Sequence, residues 1–330
     1  MLRDMMPHFD LYQPDSLATA LDLAARLGED GWLVGGGQDS WDWLKNRTKR
    51  TGAVIDLSGI AELKGVREAN GGLEIGALTT LTEVENNAQV RERYALLASA
   101  AGRVASPQIR NAGTLGGNLC QDTRCWYYRG GVDCYRAGGN MCYADTPEGQ
   151  NREHAIFGAS RCVAVTPSDT ANALVALDAS MVIHGSGERV VPAAEFFIGP
   201  DVNIRRMTVI KPGEILTAVR IPATWAGAKF YFEKVAERAA WDFALLSISM
   251  ALKHSGNSIQ DVRFVCGAAA CVPHRLTAVE KALVGGPAND ETIEKVAPLA
   301  TEGAAPLHYN QFKVPLLQNL VRRALRSIAS

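Results

Sequence analysis

No apolar run in this 330-residue chain approaches the roughly 20 residues that a helix needs to cross a bilayer, so no transmembrane helix is expected. The N-terminus, MLRDMMPHFDLYQPDS, lacks the continuous apolar segment of a signal peptide. The expectation is a chain with no export signal of its own, whose thiols stay reduced. A surplus of either charge is missing too. The 34 Lys and Arg balance 35 Asp and Glu to a formal net charge of −1, which offers no footprint for a polyanion and argues against a nucleic-acid partner. Neither G-x-G-x-x-G nor a Walker A loop occurs, and there is no internal repeat or low-complexity tract. The cysteines show neither the tight C-x2–4-C pairs of a zinc ribbon nor the compact run of a bacterial ferredoxin. Their number, seven, is odd, which does not suit a purely disulfide framework. What remains is ordinary globular composition, 47% apolar and 21% charged, in a length that suggests about two domains.

Apolar side chains at helical spacing predict a helix over 14–27, with Asp15 or Ser16 as cap and Gly28 after its end. Short strands follow at 32–34, 53–57 and 73–77, and a helix at 91–103. From 105 to about 160 no hydrophobic period survives. Order returns with a helix at 169–178 and strands near 181–184 and in EILTAVRIP. PATWAGAKF (222–230) reads as a linker. Beyond it, strands near 229–236, 244–254 and 260–268, the last two joined by a turn at HSGNS, precede helices near 275–284, 290–301 and 311–328.

Two glycine segments carry the first chemical signal. LVGGGQDSWDWL (33–44) sets three glycines after a strand, and RNAGTLGGNL (110–119) gathers Gly113, Thr114, Gly116, Gly117 and Asn118. Glycines let backbone N–H groups approach an anion closely, so two such loops suit a long ligand such as a dinucleotide, gripped from two sides. A plain tight turn is the competing account of the first segment, and an ordinary N-cap that of Ser168 or Asp169 in TPSDTANAL. Four of the cysteines fall between residues 120 and 142, and a fifth is Cys162. Spacing alone leaves an iron–sulfur cluster, zinc and unligated thiols all open. Cys266 and Cys271, in VRFVCGAAACV, read as small core residues.

The order of GGG…D, SPQIRNAGTLGGN and PSD resembles the FAD-binding subunit of the molybdenum hydroxylases, the xanthine dehydrogenase and carbon monoxide dehydrogenase family. The resemblance covers nearly the whole chain. It implies an α+β protein: a flavin domain of the vanillyl-alcohol-oxidase (PCMH) type in two subdomains, then a small α+β domain of the CO dehydrogenase flavoprotein C-terminal type. The corresponding boundaries are 1–222 and 226–330. By motif, Gly35, Gly36, Gly37, Gln38 and Asp39 line a pyrophosphate loop, and Thr114, Gly117 and Asn118 contact the flavin from the second segment. Asp169 bonds the ribityl or ring side, and Lys234 in YFEKV lies close to the flavin. Gln38 stands where the family's loop commonly has a hydroxyl residue.

The stretch between Asn118 and Ser168 is long and resembles the insert, here about 119–162, by which a minority of the family binds a [4Fe–4S] cluster. That branch includes 4-hydroxybenzoyl-CoA reductase and periplasmic-type aldehyde oxidoreductases. The resemblance assigns ligation to Cys125, Cys134, Cys142 and Cys162, with Cys120 nearby but unbound. The insert has little periodic apolar character, so its order is expected to come largely from the metal, with the flavin domain surviving its loss. Arg124, Arg129 and Arg136 are expected to offset the cluster's charge or to be solvated, and His154 to be a hydrogen-bonding loop residue. The implied partners are a large molybdopterin subunit, a small subunit with two [2Fe–2S] clusters and an external electron carrier. No catalytic acid, base or nucleophile is expected on this chain. The expected compartment is the cytoplasm, or the periplasm through co-export with a partner. A self-contained FAD oxidoreductase and a zinc-stapled scaffold subunit are the rival readings.

Overall fold

Ser16 accepts the N–H of Thr19 at 3.3 Å and starts the helix Leu17–Leu27. Its Ala20, Leu23 and Ala24 bury against Ile55, Leu57, Ile60 and Leu63. This small core adjoins a parallel sheet of β1 (Asp10–Tyr12), β2 (Gly31–Val34) and β3 (Ala53–Asp56), in the order β1-β3-β2. The computed structural model describes residues 5–256 and 258–329. No helix among them is long and apolar enough to cross a membrane.

A second, antiparallel sheet contains β4 (Val66–Ala69), β5 (Gly72–Gly76), β6 (Ser180–His184), β7 (Glu188–Pro192) and β8 (Ile215–Ile221), ordered β4-β5-β8-β6-β7. Helices Leu81–Asn86, Ala95–Gly102 and Asp169–Ala176 share its core. The helix expected over 91–103 is two, Ala88–Arg93 and Ala95–Gly102. Tyr94 breaks it at φ −140°, ψ 51°, where the buried ring donates its hydroxyl proton to the Pro222 carbonyl at 3.0 Å. Three short helices, Pro107–Ala112, Leu115–Cys120 and Trp126–Arg129, occupy the region where no period was visible. Each is too short for an apolar repeat to show, and the first two are set by the Ser106 and Thr114 caps.

The third sheet, β12-β11-β10-β9, is built from β9 (Lys229–Val235), β10 (Leu246–Ser255), β11 (Ser258–Gly267) and β12 (His274–Arg275). β10 is buried continuously from Leu246 to Leu252, because both its faces are covered. One side meets helices Thr277–Leu283, Asp290–Val296 and Lys313–Ala329, and the other meets the core of the second sheet through Ala251 and Val265. The helix expected at 290–301 ends at Val296 and continues as a 3₁₀ turn to Thr301. The expected turn at 254–258 includes Asn257, which lies outside the described residues.

The insert departs most from its expectation. Its second half is built into the C-terminal unit by ordinary packing. Ile156 and Phe157 are buried in the same core as Leu246, Phe264 and Leu317. Their N–H groups donate to the Ala269 carbonyl at 2.8 and 3.0 Å, and Ala305 N–H donates to the Ile156 carbonyl at 2.8 Å. The Phe157 ring stacks on His274 at 4.1 Å. Removing that ring should be felt without any metal. We expect Phe157→Ala to lower unfolding free energy of metal-free protein by about 3 kcal/mol, read by denaturant titration. An unchanged midpoint would mean that packing contributes little to holding the insert.

Candidate functional site: two glycine segments beside a thiol-rich insert

β2 delivers Gly35–Asp39 to the N-terminus of the helix Ser40–Lys45. A Cβ at Gly36 would fall on the Ala112 carbonyl, so the first segment touches the second backbone to backbone. Gly37 has φ +73°, in the left-handed region, and its Cβ position is taken by the Trp41 indole. Gly35 packs on Thr114, whose Oγ1 lies 2.9 Å from where its Cβ would be. No hydrogen bond among the described residues uses the N–H groups of Gly36, Gly37 or Gln38. The Gln38 side chain folds back, donating Nε2–H to the Gly36 carbonyl at 3.2 Å.

The second segment is less free. Leu115, Gly116 and Gly117 N–H groups go to the Thr79 carbonyl, the Ala77 carbonyl and Thr114 Oγ1, at 2.9, 2.8 and 3.1 Å. This segment therefore offers shape and hydroxyl chemistry more than a ring of open amides. Between the segments runs a cleft of about 480 Å³ lined by Gly35–Asp39, Thr114, Gly117 and Asn118. A neighbouring cleft of about 650 Å³ shares Gly35, Thr114, Gly117 and Cys120 and continues to Asn203, Arg205 and Lys211. The two together form the elongated, glycine-walled space that a dinucleotide needs.

Asp39 lines the cleft, but its carboxylate faces the insert. Oδ1 takes Arg124 and Arg129 at 3.1 and 3.2 Å, and Oδ2 takes Trp43 Nε1 and Asp122 N–H at 3.0 and 3.1 Å. Arg124 and Arg129 are thus neither simply solvated nor dedicated to the thiols. Behind them, Asp122 binds Lys49 at 2.5 Å and the buried Arg136 at 2.8 Å. Burial opposes ionisation of Asp122, yet Lys49 and Arg136 outweigh it and hold the carboxyl below the usual aspartate range.

Asp169 and Lys234 pair with each other at 2.6 Å, both buried, and Lys234 also donates to the Arg103 carbonyl at 3.1 Å. Burial raises the Asp169 pKa against the opposing effect of Lys234. Neither residue lines the main cleft. Asp169 instead borders a small cavity next to it, and Asn118 makes the link by accepting Ser168 and Thr170 hydroxyls at 2.7 and 2.6 Å. Sequence reasoning missed Trp241 and Phe243, exposed aromatics on the cleft wall. Their signal was two large rings in the polar stretch between β9 and β10.

The four insert cysteines converge only in part on one surface. Cys125 and Cys134 share a cluster with Trp43 and Tyr128, while Cys125 also meets Cys162 and Cys271. Burial pushes the Cys125 thiol up to about 11 and raises that of Cys142. Cys162 goes the other way: the Cys271 hydrogen bond first, with Ala164 and Arg136 adding to it, takes its thiol down to about 6 despite burial. Cys271 is buried as expected, but it is not a plain core residue. Its sulfur sits 2.7 Å from the Ala164 carbonyl oxygen and against the Cys162 thiol, whose pKa it lowers. Cys266 is fully buried in the C-terminal core. Cys120 is exposed and opens to both clefts. His154 Nε2 lies 3.3 Å from Cys125 Sγ, and burial first, with Lys313 second, takes its pKa down to about 4. Among the described residues no three His, Cys, Asp or Glu side chains converge as ligands of a single metal ion.

Residues 7–224 match the family of the FAD binding domain in molybdopterin dehydrogenase, and residues 231–328 match the CO dehydrogenase flavoprotein C-terminal domain. The chain is 33% identical over 311 residues to the aldehyde oxidoreductase FAD-binding subunit PaoB of Escherichia coli K12, covering 93% of this chain and 92% of that one. It is 28% identical to the carbon monoxide dehydrogenase medium chain of Hydrogenophaga pseudoflava, covering 97% of each. A solved structure of carbon monoxide dehydrogenase from H. pseudoflava superposes with a TM-score of 0.78 at 26% identity, over 98% of this chain and 97% of that one.

The two glycines allow the cleft to be tested apart from the fold. Gly36→Ala should disrupt the contact with Ala112 and lower both stability and FAD content. Gly117→Ala meets only Thr114 Oγ1, at 3.0 Å, and replaces a helical glycine. It should leave folding intact or raise stability by about 0.5–1 kcal/mol, yet weaken FAD at least about tenfold, or 1.4 kcal/mol. Flavin titration of apoprotein alongside thermal melts checks both. A second prediction concerns acid. Because the folded Asp122 pKa is depressed, its contribution is complete above the unfolded value of about 4 and is lost as pH falls through the folded one. Asp122→Asn should therefore flatten the acid limb of the stability–pH curve.

Proposed function

Because the chain belongs to the family of FAD-binding medium subunits of the molybdenum hydroxylases, we propose that it is the FAD- and [4Fe–4S]-carrying electron-transfer subunit of a heterotrimeric molybdenum-dependent oxidoreductase. Residues 1–222 form its flavin domain and 226–330 its C-terminal domain. A large molybdopterin subunit handles the substrate, an aldehyde, aromatic or acyl-CoA compound. A small subunit holds two [2Fe–2S] clusters, and this chain connects them to an external carrier. Similarity to the E. coli aldehyde oxidoreductase subunit favours an aldehyde. The complex works in the cytoplasm, or in the periplasm when a partner carries the export signal.

The unused N–H groups of Gly36, Gly37 and Gln38 suit the pyrophosphate, and Thr114, Gly117 and Asn118 line the opposite wall. Asp169 and Lys234 support that wall from behind through Ser168 and Asn118. Bound FAD would supply one- or two-electron chemistry and the cluster one-electron chemistry, while this chain's residues would position both and exclude competing reactions. Cys125, Cys134, Cys142 and Cys162 would hold the cluster. The observation that carries this reading is the gathering of Cys134, Cys125 and Cys162 in two adjoining clusters that Cys125 joins. The buried Arg136 supplies positive charge beside Cys162.

Anaerobically purified chain should contain about four iron and four sulfide per molecule. Cys142→Ser should lose most of that iron, and Cys120→Ser should keep it. The isolated chain should accept electrons from an artificial donor and oxidise no aldehyde, purine or acyl-CoA. Zinc in place of iron, or substrate turnover by the chain alone, would overturn the reading.

A further inference from the structure

Between the Cys125 sulfur and the Asp169–Lys234 pair lies a cavity of about 30 Å³, lined among others by Cys125, His154, Ser168, Asp169, Asn172 and Ser247. Three buried side-chain atoms of residues on its wall, Arg124 Nε, His154 Nδ1 and Asn172 Oδ1, have no hydrogen-bond partner among the described residues. His154 is 3% exposed and Asn172 1%. Leaving such atoms dry costs on the order of 1–3 kcal/mol each.

The surroundings fix both groups. The His154 carbonyl accepts Asn310 Nδ2–H at 3.0 Å and Lys313 Nζ–H at 2.8 Å, and its own N–H donates to the Asn151 carbonyl at 3.1 Å. The imidazole therefore hangs from an immobile backbone with Nε2 at Cys125. Asn172 donates Nδ2–H to Ser247 Oγ at 3.1 Å, which leaves its oxygen as the free end. A neutral imidazole donates from one nitrogen and accepts at the other. When Cys125 is a metal-bound thiolate it can only accept, so Nε2 must carry the proton and Nδ1 becomes an acceptor. The cavity wall then carries two acceptors, Nδ1 and Asn172 Oδ1, and one donor, Arg124 Nε–H, which a water oxygen can accept. Water brings two O–H donors, and the volume has room for one or two molecules.

We infer that this cavity is a binding site for ordered water, a single molecule or a hydrogen-bonded pair, shared by His154 and Asn172, and that the water holds the His154 ring so that Nε2–H is presented to the Cys125 sulfur. His154 is then a positioning residue whose hydrogen bond stabilises the reduced, more negative state of the metal centre. The water site stands on the unpartnered buried atoms in either imidazole tautomer, since water both donates and accepts; the role toward sulfur rests on the cluster reading above.

A high-resolution crystal structure of the intact chain decides the first half. Density within about 2.7–3.2 Å of both His154 Nδ1 and Asn172 Oδ1 is expected, and a dry cavity overturns the water site whatever the iron content. His154→Phe keeps a flat ring and removes both nitrogens. In the assembled complex it should retain wild-type iron while the cluster's midpoint potential, followed by EPR-monitored redox titration, shifts downward. An unchanged potential at full iron content overturns the donor role. Wild-type protein with water density but no iron would sink the cluster reading and leave the water site standing.

Discussion

The cleft depends on the approach of Gly36 to Ala112 and Gly113, where two backbones meet with no space for a side chain. Everything around the cleft follows from it. β2 and the helix after it are held against the second subdomain, so the open amides of the first segment face Thr114 and Gly117. The opposing helix, Leu115–Cys120, spends its own N-terminal donors on the Ala77–Thr79 strand end and on Thr114. The division of labour is physical. One segment supplies amides, and the other supplies a wall close enough for them to matter.

The insert then ties this cleft to the rest of the chain. Its first half reaches Asp39 through Arg124, Arg129 and the Asp122 N–H, and its second half enters the C-terminal core through Ile156 and Phe157. It is a brace between two units as well as a carrier of thiols. Its arginines pair with Asp39 of the first glycine segment, so the insert touches the cleft wall directly.

Buried polar groups mark the path between the two. Asn118, Ser168 and Thr170 join the cleft to the helix that starts at Asp169, and Asp169 with Asn172 borders the cavity shared with Cys125 and His154. Such groups in a low-dielectric interior are tolerated only when satisfied, so they specify a single arrangement of the elements that bear them.

By itself the sequence determined the glycine segments, the main strands and long helices, the α+β class and the family. Each of these is written locally: a cap beside an apolar stripe, a period of two or of 3.6, three glycines after a strand. Tertiary structure alone decided where the polar side chains point. Nothing near Asp39 announces that it turns to Arg129, nor does anything near Cys271 place it against Cys162. Lys234 and Asp169 were both singled out as flavin residues, and only folding revealed that they face each other. These pairings arise because packing three sheets brings residues far apart in the chain to within 3 Å or so, and no local pattern encodes a distance of that kind.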